Sequence, residues 1–136
     1  MWGTGKSILG PVLGTYKKVE RQNLCHFFEY ISTLTYFGKI EKLFSNKYLK
    51  ILADNLAYDT FLSRQINLKL GDDSGLINNP KKLKSIRRLF KKDDKIHNIK
   101  EININCPIIQ IMSHNLFPCS EILFQTFFEN FSIIVM

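Results

Sequence analysis

The chain has 136 residues, a formal charge of +7 and 45% hydrophobic residues, which suits one globular domain with a proper core. Three widely spaced cysteines (Cys25, Cys106, Cys119) form no C-x-x-C pair, which argues against a disulfide framework or a zinc site and for a reducing, cytoplasmic setting. The apolar run Ile8–Leu13 is short and glycine-broken, and the stretch from Ile122 is interrupted by Gln125, Glu129 and Asn130, so neither a signal peptide nor a membrane span is expected.

In chain order, "MWGTGKSILG" opens with a glycine-rich turn ahead of a predicted short helix from Lys6 to about Tyr16. Glycines let backbone N–H groups approach a phosphate closely, and a helix start adds a favourable dipole. Gly3, Thr4, Gly5, Lys6 and Ser7 are therefore the candidate phosphate-binding residues, Lys6 supplying charge and Ser7 a hydroxyl. Pro11 conflicts with a long helix, and a kink or an early end is expected there. Leu24, Phe27, Phe28, Ile31 and Leu34 recur at helical spacing and predict a helix over 23–44. Leu49, Leu52, Leu56 and Phe61-Leu62 predict another over 47–66.

"GDDSGLINNP" is a loop, with Asn79 as N-cap ahead of Pro80. A helix over 80–92 is expected to bury Leu83, Ile86, Leu89 and Phe90 and to turn its lysines and arginines to solvent. The segment Lys81–Lys100 carries nine basic residues against Asp93 and Asp94, a net +7, so the rest of the chain nets zero. Without interleaved aromatics for base stacking it reads as a solvated amphipathic helix, and no nucleic-acid partner is expected. After Asp94 the β-branched segments "IKEININ" and "PIIQIM" predict strands, a helix follows from Pro118 to about Asn130, and "FSIIVM" predicts a buried strand. The last three elements make a β-α-β unit, in which a histidine at a strand's carboxyl end, His114, is placed for proton transfer. Cys25-His26 has no further ligands at metal spacing and reads as packing; no metal is expected.

Two stretches together resemble the sulfotransferase family, which moves a sulfuryl group from 3′-phosphoadenosine 5′-phosphosulfate (PAPS) to a hydroxyl acceptor. "GTGKSILGPVL" is similar to the family's 5′-phosphosulfate loop, and "MSHNLFPCSEIL" is similar to its Lys-Thr-His-Leu-Pro strand end. The resemblance implies a P-loop-like three-layer α/β/α fold with a parallel sheet. It implies Lys6 and Ser7 on the phosphosulfate, Lys6 and His114 as the catalytic pair, and a small-molecule or carbohydrate acceptor. Met112 stands where some members carry a lysine, and residues 21–101 match nothing position by position. The expectation is one partial domain over 1–136 with a helical insertion at about 23–92, incomplete at both ends, inactive alone and prone to self-association through exposed strand edges. The alternatives are a P-loop kinase or NTPase fragment, which lacks its strand-end aspartate here, and a non-catalytic basic interaction module.

Overall fold

The computed structural model describes residues 6–72, 75–113 and 117–128. The elements are α1 (Lys6–Gly14), β1 (Val19–Leu24), α2 (His26–Tyr36), α3 (Lys42–Phe61), α4 (Lys82–Leu89), α5 (Lys95–Asn105), β2 (Ile108–Met112) and α6 (Glu121–Phe127), with 3₁₀ turns at Leu76–Asn78 and Phe117–Cys119. The protein is mixed α/β, with β1 and β2 forming a parallel pair. Between them the chain crosses over through α2, α3, α4 and α5.

The strand β1 takes the first two residues of the predicted helix over 23–44, which begins instead at His26. Leu24 fits the helical period of Phe28 and Ile31, but the backbone of residues 19–24 pairs with β2, and Cys25 (φ −131°) stays extended before α2 begins. Tertiary pairing thus outweighs local periodicity. The end of α2 is a Schellman motif: Gly38 N–H donates to Thr35 O (3.0 Å) and Lys39 N–H to Leu34 O (2.8 Å). Gly38 has φ +65°, a conformation glycine adopts without strain. A second helix, α3, then starts at Lys42, ahead of the predicted Lys47. Its end repeats the motif with Ser63 in the left-handed position, φ +57°.

"IKEININ" is helix, not strand. Asp94 is an N-cap whose carboxylate accepts from His97 N–H (3.1 Å), and from there Ile96, Ile99 and Ile102 recur every three residues. Capping decides against the β-branched composition. The strand over "PIIQIM" and the short helix α1 from Lys6 agree with the sequence reading, but α1 does not end at Pro11; it runs through it to Gly14. The helix expected from Pro118 begins as a 3₁₀ turn and becomes α6 at Glu121. Residues 131–136, expected as a strand, lie outside the described residues.

The core is Phe28 from α2, Leu49 and Leu56 from α3, and Ile122 and Leu123 from α6. Ile109 and Ile111, on one face of β2, pack against it. On the other face of the sheet, Gln110 lies beside Gly14 of α1 and Gln22 beside Gly10. A bulge in β1 between Val19 and Gln22 changes the alternation, so Gln22 partners Gln110 and Asn23 partners Ile111. Asn23 accordingly reaches α3, donating to Thr60 Oγ1 (3.1 Å).

Candidate functional site

Three backbone segments meet at the carboxyl edge of the β1–β2 pair. Leu24 and Met112 are the last paired residues of their strands. Beyond Leu24, Cys25 leads directly into α2; beyond Met112 comes Ser113. The helix α1 returns to β1 through a tight turn, with Thr15 N–H donating to Val12 O (3.1 Å) and Val19 N–H to Tyr16 O (3.1 Å). It therefore runs back along the strand, and its amino end, at Lys6, is directed to the edge where the strands finish. Lys6 and Ser7 form the first turn of α1; Gly3, Thr4, Gly5 and His114 lie outside the described residues. At the same edge His26, on the first turn of α2, stands 3.8 Å from Glu29 and stacks on Tyr30. Cys25 packs against the core, as its sequence context indicates.

Tight packing holds α1 in this place. A Cβ at Gly10 would lie 1.9 Å from Gln22 Oε1, and one at Gly14 would press on the Pro80 ring at 3.2 Å. Replacing Gly10 by a β-branched residue should displace the Gln22 amide and crowd α1 against the strand, costing about 1–3 kcal/mol. Denaturant melts of Gly10→Val measure this. Alongside α1 a polar cleft lined by Gly10, Gly14, Arg21, Gln22 and Asn79 has room of about 20 Å³. That is one water's worth and does not admit a nucleotide. In it Arg21 is kept from water, which lowers its pKa, and it donates to Gln65 O.

The basic segment is only in part a solvated face: Lys82, Arg87, Lys92, Lys95 and Lys100 are exposed, while Lys81, Lys84 and Arg88 bind within the protein. Glu20, on β1, is only 6% exposed and binds two cations of α4. Arg88 grips it with two bonds (2.7 and 3.1 Å), and Lys84 adds a third (3.0 Å). Lys81 Nζ donates to Val19 O (2.8 Å), Lys17 O (3.3 Å) and Tyr16 O, tying α4's approach to the turn between α1 and β1. Arg88 and Lys91 also lie over the Phe61 ring, at 4.9 and 4.3 Å. The predicted orientation of this helix is inverted. Lys81, Lys84 and Arg88 turn to the protein because Glu20 and three carbonyls bind them, Lys82 and Arg87 stay exposed, and Leu83, Ile86, Leu89 and Phe90 face outward. Asn79 caps the approach, accepting from Lys81 N–H (2.8 Å) and donating to Ser85 Oγ (2.9 Å).

Burial pushes the Glu20 carboxyl up, but Arg88 and Lys84 outweigh that and hold it below the ordinary value of 4.5. The sign follows. The contribution is complete above the unfolded carboxylate's pKa and is lost as pH falls through the lower folded value. Glu20→Gln should cost roughly 2–3 kcal/mol at pH 7, the lower end for a broken buried pair because Lys84 is part-exposed. The difference from the parent should shrink as pH falls below 4.5 and through the lower folded value, which urea melts at pH 7 and at successively lower pH would record. Lys81 has its pKa lowered, first by burial and then by Lys84, in keeping with its inward position.

Among the described residues no group of three His, Cys, Asp or Glu is placed to hold a metal, and no helix is long and apolar enough to cross a membrane. Compared with known proteins, the chain matches no family model, no curated protein and no solved structure.

Proposed function

We propose that the chain is a P-loop-like α/β/α domain of sulfotransferase type, acting in the cytoplasm, which binds PAPS and passes its sulfuryl group to a hydroxyl acceptor. The observation that carries this reading is the direction of α1. A glycine-rich Gly-Thr-Gly-Lys-Ser run precedes a helix that opens at the carboxyl edge of a parallel strand pair, and β2 ends two residues before His114. Ligands of parallel sheets collect at that edge. Helices on both faces of the pair favour the layered fold.

In this reading the backbone of Gly3–Ser7 and the Lys6 ammonium hold the 5′-phosphosulfate. The acceptor oxygen attacks sulfur while its proton passes to the neutral His114 imidazole. The sulfur–oxygen bond to the phosphate breaks, and 3′,5′-ADP leaves with the electron pair, its charge met by Lys6. No metal is required. A kinase or NTPase would use Ser7 and a strand-end aspartate to hold Mg²⁺. The residues after the described strands are Cys25-His26 and Ser113, which disfavours that alternative. Three cations of the basic segment, Lys81, Lys84 and Arg88, are bound within the protein, which weakens the reading as a non-catalytic basic interaction module.

Lys6→Ala should weaken 3′,5′-ADP binding by roughly 1.5–3 kcal/mol, the worth of a charge-assisted contact. Calorimetry on both proteins measures it. Unchanged affinity would reduce the glycine run to a helix start.

A further inference from the structure

The inverted seating of α4 leaves an apolar row on the outside. Leu83, Ile86 and Phe90 follow one another at i, i+3 and i+7, and Leu83 and Phe90 are 69% and 85% exposed. Exposed Arg87 flanks the row on one side and exposed Lys82 on the other. The helix cannot roll to hide these residues. Arg88 and Lys84 are pinned to Glu20, Lys81 to three carbonyls, and Ser85 to Asn79. An amphipathic helix whose own protein binds its cationic side presents the apolar side, rimmed by cations, to whatever lies outside.

We infer that α4 docks the protein on an anionic lipid surface, Leu83, Ile86 and Phe90 entering the headgroup boundary while Lys82 and Arg87 meet the lipid charges. Helices with an apolar row and basic flanks bind such interfaces in the membrane plane, by apolar burial together with attraction to anionic headgroups. Charge selects this occupant over a second copy of the chain. Symmetric pairing through the same face would set Lys82 and Arg87 against the same cations, which is repulsive. The protruding side chains also need no complementary groove on a bilayer, whereas a folded partner would have to supply one.

The test is co-sedimentation of the full chain with vesicles of phosphatidylcholine containing a third phosphatidylserine, beside vesicles of phosphatidylcholine alone. Binding to the anionic vesicles and not to the neutral ones is expected, weakening as salt is raised. Phe90→Ser should reduce it about tenfold or more, from the lost apolar burial. Arg87→Gln should reduce it roughly fivefold. Because both side chains are exposed, neither variant should change the far-ultraviolet circular dichroism or the melting curve. A Phe90→Trp reporter should shift its emission to the blue on anionic vesicles. Absence of binding, equal binding to neutral vesicles, or binding that Phe90→Ser leaves intact would overturn the inference. So would a dimer that Phe90→Ser abolishes, since the row would then be a contact between copies.

Discussion

In a form of the domain that turns over, replacing His114 by alanine should lower sulfuryl transfer by about 10²–10⁴-fold, the usual loss for a positioned general base, and leave 3′,5′-ADP affinity within a few-fold. The acceptor hydroxyl must surrender its proton as it attacks sulfur, and a neutral imidazole near pH 7 can accept it. On the proposed reading the phosphates would bind at the other element, the start of α1, so cofactor binding and proton transfer would separate. The rate should rise with pH through the imidazole pKa, because only the neutral ring accepts a proton. If the proposed resemblance holds, Met112 stands where some sulfotransferases carry a lysine, and Lys6 would meet the leaving group's charge alone. Turnover that survives His114→Ala within a few-fold would make the histidine structural.

Leu49→Ala should cost about 3–4 kcal/mol, in the range of fully buried leucines whose cavity stays open. Leu49 is 0% exposed in the middle of α3 and belongs to the cluster that joins α2, α3 and α6. Neighbouring helices hold the cavity walls from both sides, so the site has little freedom to collapse. Against a total stability of about 5–15 kcal/mol for an ordinary domain, this is a large part. Since Ile109 and Ile111 of β2 pack against the same cluster, the loss should also loosen the strand pair. A urea midpoint unchanged in Leu49→Ala would mean that the helical core contributes little to stability.

The legible parts of the fold were those decided locally. Alternation and β-branching mark β2, Leu49 and Leu56 mark α3, and the GTGKS run marks the start of α1. The strand β1 was not legible, because VERQNL has few strand formers and is recruited by pairing with residues nearly 90 positions away. For α5, the useful signal was Asp94 followed three residues later by the N–H it caps; the isoleucines obscured it. The seating of α4 was misread for a related reason. Amphipathicity tells which residues share a face, not which face turns inward, and here one buried carboxylate 68 residues from Arg88 decides. That contact has no local signature beyond a lone glutamate in a strand-like run. Of the candidate site, the sequence supplies the residue types and the structure supplies the direction of α1 and the common edge of the two strands.

The central claim is that the Gly3–Ser7 turn serves a sulfuryl donor and not a metal-bound nucleoside triphosphate. Titration of the chain with 3′,5′-ADP in the presence of EDTA, followed by ATP with Mg²⁺, tests it most directly. Saturable, metal-independent binding of 3′,5′-ADP that Lys6→Ala weakens at least tenfold is the expected result. Binding of ATP that requires Mg²⁺, with none of 3′,5′-ADP, would contradict it.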